Sequence, residues 1–171
     1  MHYIFYHGKV SQIGAKNTEV LINSAYVQGE KEITICLSSE GGDVNSGIGL
    51  YNFIQMFPIN INTHASGICA SIAVTIFMAG KKRTAQPLSI FSLHQASFSE
   101  GPQSGQRAPN TDLISLPFKT VANWTDEAIK ERFGPSDFRF TPEEGVDYRV
   151  VTEINTPILS DHDTMVVVSI D

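Results

Sequence analysis

Charge is scarce in this chain. Asp, Glu, Lys and Arg make up 18% of its 171 residues, with 18 acidic side chains against 12 basic ones. Lysine and arginine never cluster beyond Lys81-Lys82-Arg83, which excludes a surface built to hold nucleic acid or an anionic membrane. That trio follows an apolar helical stretch, where cations suit the negative end of the helix dipole. No unbroken run of about 18 apolar residues occurs, so no membrane span is expected. The opening MHYIFYHGKV lacks a basic flank, an extended apolar centre and a small-residue cleavage site, and does not read as a signal peptide. Cysteine is nearly absent: Cys36 and Cys69 stand in apolar runs and form no CxxC pair. They read as buried, reduced thiols of a cytoplasmic protein.

Cofactor and metal signatures are missing as well. Gly47-Ile48-Gly49 lacks the third glycine of a dinucleotide loop and falls inside a helical pattern. Asp161-His162-Asp163 lies in a polar turn and reads as solvated. Asn123-Trp124-Thr125 matches a glycosylation acceptor, which has no meaning in a cytoplasmic chain. Neither cofactor nor metal is expected.

Apolar side chains, at 42%, suffice for one core, and no repeat or linker divides residues 1–171, so a single domain is expected. The chain reads as an alternation of strands and helices. "YIFY" (3–6) predicts a strand ended by His7-Gly8, and 14–28 a helix with Val20, Leu21 and Ala25 turned inward. "EITICLS" (32–38) is dense in β-branched and apolar residues, as expected of a strand buried on both faces. A Gly41-Gly42 turn leads into a helix with Val44, Ile48, Tyr51 and Ile54 at helical spacing, ended near Pro58. "ININ" (59–62) predicts a strand, 67–80 an apolar helix stopped by Gly80, and "LSIFSLH" (88–94) another strand. Residues 96–110 read as loop or irregular strand, and Pro117 should interrupt any helix across 111–123. Thr125 caps a short helix over "DEAIKERF", and strands are expected in "VDYRVVTEI" (146–154) and "TMVVVSI" (164–170). This order implies right-handed crossovers and a mainly parallel sheet. The apolar tail strand should pair with its own sheet or with a neighbouring subunit.

The stretch "GICASIAVTIFMAG" begins an apolar helix with small residues and one hydroxyl, Ser71. Ser71 can simply cap the helix. It can also be a nucleophile, because the first N–H groups of a helix are unpaired and carry the positive end of its dipole. In a parallel sheet, functional residues gather at the C-terminal strand ends. Gly41-Gly42, Ser71 and His94 each follow such an end. A hydroxyl, an imidazole and backbone donors on one edge are the parts of an acyl-transfer site. Cys69, two residues before Ser71, is the alternative nucleophile.

These residues resemble the ClpP-type serine peptidases, the proteolytic subunits of the Clp protease, over about residues 3–155. The family's strand-ending Gly-Gly turn stands here as Gly41-Gly42, its Gly-x-x-Ala-Ser motif as Gly67-Ile68-Cys69-Ala70-Ser71, and its His-Gln pair as His94-Gln95. The likeness implies a ClpP/crotonase-like repeated β-β-α superhelix. It implies Ser71 as nucleophile, His94 as base and Asp137 as the orienting acid, with Asp126 and Asp147 as nearby alternatives. The Gly42 and Ile72 N–H groups would hold the oxyanion, and Gly41, Gln95 and Phe98 would contact a peptide substrate paired along segment 98–106. The likeness further implies a ring-forming homo-oligomer and an AAA+ ATPase partner.

The chain departs from the family at several points. Ile72 replaces the usual Met, Ala96 the usual Pro, and Ser136 a frequent Arg. The handle region, about 96–135, is short and carries Pro117, and the flexible loops that line the family's axial pore are expected to be missing ahead of the first strand. Residues 156–171 form a C-terminal extension. A catalytically silent assembly module and a crotonase-type acyl-CoA enzyme are the competing functions, the latter having no need of a Ser-His-Asp set.

Overall fold

The computed structural model describes residues 1–170. The first half alternates β1 (His2–His7), α1 (Gln12–Val27), β2 (Glu32–Ser39), α2 (Val44–Met56), β3 (Asn60–Ala70) and α3 (Ile72–Phe77). β4 (Arg83–Ala85), β5 (Ile90–Leu93), α4 (Asn110–Thr120), α5 (Asp126–Arg132) and β6 (Phe138–Phe140) follow. The chain closes with α6 (Pro142–Asp147), β7 (Glu153–Ile154) and β8 (Thr164–Val167). One sheet runs β6-β5-β3-β2-β1-β8, with β4 beside β3 and β7 beside β4. Every pairing is parallel except β5 with β6.

α1 starts at Ser11, whose hydroxyl accepts from Gly14 N–H. Its inward stripe is Ala15, Thr18, Ile22 and Ala25, with Leu21 half-buried against the core; Val20, expected inward, is exposed. Thr18 can be buried there because its hydroxyl donates to Gly14 O at 2.7 Å.

β3 is far longer than the predicted 59–62. Its polar residues disguise it, yet each buried hydroxyl finds a carbonyl: Thr63 donates to Phe77 O at 2.7 Å and Ser66 to Leu37 O at 3.2 Å. The strand carries on through Gly67-Ile68-Cys69-Ala70, and the apolar helix begins only at Ile72.

Pro117 does not break α4, which continues through it with the proline ring buried. The helix loses one internal bond there, but Thr75 of α3 donates to Ile114 O at 3.0 Å and ties the two helices together. The predicted strand 146–154 is mostly wrong: α6, opened by a capping box of Thr141 and Glu144, occupies its start, and only Glu153–Ile154 is strand. β4 and β6 were not foreseen. Nor do Lys81, Lys82 and Arg83 act together at a helix end. Lys81 bonds Asn60 and Lys82 pairs with Glu153, whereas Arg83 is buried and donates to the carbonyls of Gly80, Arg149 and Val150.

The tail strand joins its own sheet. β8 pairs with β1 from His2↔Thr164 to Phe5↔Val167, and Val168 then buries its side chain and donates to Phe5 O at 2.8 Å. Both cysteines are free and buried, as expected; burial pushes the Cys36 thiol up to about 12. Asp163 accepts from the Met1 amine and from Ser160, closing the turn before β8.

His64, in the middle of β3, lies with Nδ1 2.7 Å from Thr84 Oγ1 and with Nε2 buried and unpartnered. Burial pulls its pKa from 6.5 down to about 4, and lowers that of His2. Such an imidazole binds fewer protons folded than unfolded, so its stability contribution is intact above pH 6.5 and is lost as pH falls toward about 4. The melting temperature should therefore drop across this window, and His64→Gln should flatten the drop. Thermal melts of both proteins at several pH values check it; equal slopes would show that His64 does not carry the effect.

Candidate active site

Ser71 is the turn between β3 and α3. Its φ of 56° and ψ of −131° put a non-glycine residue in the left-handed half of the map, a conformation that costs about 1–3 kcal/mol and is kept only where the surroundings impose it. Two contacts impose it. The Ser71 N–H donates to Ser92 O at 2.8 Å, and its carbonyl accepts from Val74 N–H at 3.0 Å. The side chain does not cap α3 and forms no hydrogen bond, so capping is not its role.

Gly41 explains its own residue type. Its φ is 93°, and a Cβ there would stand 2.8 Å from Ser71 Cβ and 2.9 Å from Ala70 O. Gly42 packs as closely on Val10 and Lys9, with Gly41 O accepting from Val10 N–H and Asp43 N–H donating to Val10 O. The Gly42 N–H has no acceptor among the described residues and belongs to an exposed residue. Ile72 N–H, by contrast, belongs to a fully buried residue with Gly41 packed beside it. The two expected oxyanion donors therefore differ in exposure, Gly42 lying at the surface and Ile72 inside.

His94 follows β5, and Asp137 precedes β6. The antiparallel register Phe91↔Phe140, Ser92↔Arg139, Leu93↔Phe138 carries on one step to set His94 opposite Asp137. Both line one cavity of about 230 Å³ with Ser92, Arg139 and Glu40. They are not bonded to each other. His94 Nδ1 donates to Gln95 O at 2.7 Å, and Asp137 Oδ2 accepts from Arg139 at 3.1 Å. Because a carbonyl can only accept, this bond puts the ring hydrogen on Nδ1 and leaves Nε2 bare, the tautomer a general base needs. Asp126 pairs with Lys119 and Asp147 is exposed at the end of α6, so neither reaches this cavity. Cys69 is wholly buried with its thiol pKa pushed up by burial, which removes it as a nucleophile.

A cleft of about 850 Å³ lies between the Gly42 turn and residues 96–99, with Lys9 and Phe98 on its wall. The main chain of Phe98 is already spent: its N–H donates to Gln106 O and its C=O accepts from Gly105 N–H. Gln95 N–H donates to Gly134 O. The residue whose N–H and C=O stay free for an added strand is the exposed Ser97, which the sequence reading passed over.

The sequence pattern of the family described as Clp protease matches residues 2–156. The chain belongs to the Clp protease family. It is 28% identical over 149 residues to ATP-dependent Clp protease proteolytic subunit 2 of Thermobifida fusca, covering 81% of this chain and 73% of the relative. Among solved structures, a ClpP1 mutant from Listeria monocytogenes superposes with a TM-score of 0.77 at 22% identity, over 91% of each chain. The ClpP protease catalytic domain from Plasmodium falciparum gives 0.77 at 21% identity, over 93% of this chain and 88% of that one. At those identities the structures speak to the fold, which is the ClpP type with its central sheet flanked by helices.

The strain at Ser71 has a measurable consequence in this Clp-family fold. Glycine adopts φ of 56° freely and alanine does not. Ser71→Gly should therefore be more stable than Ser71→Ala by about 1 kcal/mol, the reverse of the order in an ordinary helix. Urea unfolding of the two variants measures it; an alanine variant as stable as the glycine one would mean the turn is unstrained.

Proposed function

We propose that this Clp-family chain is a serine-type endopeptidase that cleaves short or unfolded peptides through an acyl-enzyme. The observation that carries this reading is the Ser71 turn: a strained, non-capping serine at a strand-to-helix junction, one hydrogen bond away from the strand that leads to His94. Ser71 Oγ attacks the peptide carbonyl while His94 Nε2 takes its proton, then returns it to the leaving amine. Water completes the cycle in the same way. Asp137 orients the imidazole and stabilises its positive charge. The N–H groups of Gly42 and Ile72 hold the oxyanion, each worth on the order of 10²–10³ in rate.

An extended substrate adds as a strand in the cleft beside Gly42, bonding Ser97 through its main chain. Gly41, Gln95 and Phe98 shape that cleft rather than supply its ladder. Main-chain recognition gives little side-chain selectivity, so entry rather than sequence limits what is cut. That fits a cytoplasmic homo-oligomer, a ring fed by an AAA+ ATPase. The tail strand pairs with β1 of its own sheet.

One observation favours a catalytically silent module instead: His94 and Asp137 are bonded elsewhere and Ile72 N–H is covered. A fluorophosphonate decides between the two. Intact mass should show one adduct on the native chain and none on Ser71→Ala, and short unstructured peptides should be cleaved while folded proteins stay whole. An ordered native chain that takes up no label would exclude the peptidase.

A further inference from the structure

Four side chains form a square on one face of the β5–β6 ladder. Ser92 stands opposite Arg139, and His94 stands opposite Asp137 by the same register. All four line the 230 Å³ cavity, together with Glu40. Two features of the square are out of keeping with a resting acid–base couple. Asp137 turns away from His94 to accept from Arg139, and His94 Nδ1 turns to the carbonyl of Gln95. Ser92, only 6% exposed, has a hydroxyl with no hydrogen-bond partner. Buried hydroxyls elsewhere do not go unsatisfied in this way: Thr18, Thr63, Thr75 and Ser89 each donate to a carbonyl at 3.0 Å or less. An unpaired buried hydroxyl is costly unless it serves a second arrangement.

We propose that the Asp137 carboxylate has two seats, an outer one held by Arg139 and an inner one in which Ser92 Oγ–H and His94 Nδ1–H both donate to it. Ser92 and Arg139 are then positioning residues of opposite sense, acting on the base through Asp137. Ser92 and Asp137 are diagonal neighbours across the antiparallel ladder and line the same cavity. In the inner seat the carboxylate satisfies the one orphaned hydroxyl and replaces the Gln95 carbonyl at His94. In the outer seat an exposed ion pair holds it, a weak hold that one side-chain rotation breaks. The charged groups facing His94 are Glu40 from the β2–α2 turn and Asp137 and Arg139 from β6. Only Asp137 changes its distance between the seats.

The consequence for rate rests on the peptidase reading; the two seats themselves do not. The full-length chain and its Arg139→Gln, Ser92→Ala, Ser92→Thr and Asp137→Asn variants are compared by the rate of Ser71 labelling with a fluorophosphonate and by NMR titration of the His94 ring. Arg139→Gln should label about 2- to 5-fold faster, the factor an exposed ion pair accounts for, and His94 should titrate at higher pH because the carboxylate now sits beside it. Ser92→Ala should melt no lower than the native chain, since it loses an unsatisfied group, yet label about tenfold more slowly, with His94 titrating at lower pH. Ser92→Thr should restore the native values. A His94 titration that is the same in all five proteins would overturn the two seats. If no protein takes up the label, the peptidase reading fails, and the titration still decides on the seats.

Discussion

The N–H of Ser71 bonded to the carbonyl of Ser92 fixes where everything else in the site can be. β3 is paired along its length with β2, through Ser39↔Cys69, and at its end with β5, through Ala70↔Ser92. A strand held on both edges cannot drift as it ends, so the chain enters α3 by one left-handed residue. α2 must come close enough to cover that turn, and Gly47 permits it: a Cβ at that position would overlap the side chain of Ile72. The position of the hydroxyl is thus set by three strands and two helices. A site built on regular elements in this way holds its geometry better than one carried on a loop.

The same rigidity does not extend to Asp137. β6 is three residues long and pairs only with β5, and both Asp137 and Arg139 are exposed. His94, the proposed base, is better held than Asp137, the proposed acid. Its tautomer comes from a backbone carbonyl, so His94 is ready to accept a proton even while Asp137 is engaged elsewhere. Such an arrangement separates the chemistry of proton transfer from the stabilisation of the imidazolium that results from it.

Much of this was legible in the residues. β2 is dense in β-branched and apolar residues; Thr125 and the acidic turn after it announced α5; and the strand ends put Gly41, Ser71 and His94 on one edge. The failures have physical causes. β3 looked short because Asn62, Thr63, His64 and Ser66 are polar, and their burial depends on acceptors from Phe77, Leu37 and Thr84 that no local pattern records. Pro117 looked like a stop because propensity counts the lost bond but not the packing that offsets it. The segment 146–154 looked like a strand because it is rich in valine, but Val146 is exposed on α6, and Val150 is buried with its carbonyl on the guanidinium of Arg83. At the site, Gln95 matters through its carbonyl and Ser97 through its free main chain, neither of which depends on the side chain that a sequence displays. The pairing of Arg139 with Asp137 needs the strand period of β6, which three residues are too few to reveal.

Behind the square of polar side chains, on the opposite face of the same ladder, Phe91 and Phe140 lie face to face, 5.1 Å apart and tilted by only 7°. Phe77 and Tyr148 pack on that pair from either side. The stack keeps β6 from sliding along β5, because a slip of register would pull the rings apart and turn the polar face inward. Whatever freedom Asp137 has is therefore torsional. Exposed side chains turn over in picoseconds to nanoseconds, whereas an enzyme of this kind turns over in roughly milliseconds to seconds. The carboxylate samples its surroundings very many times within each catalytic cycle. Its average occupancy, and not the speed of its motion, is what a catalytic rate constant would feel.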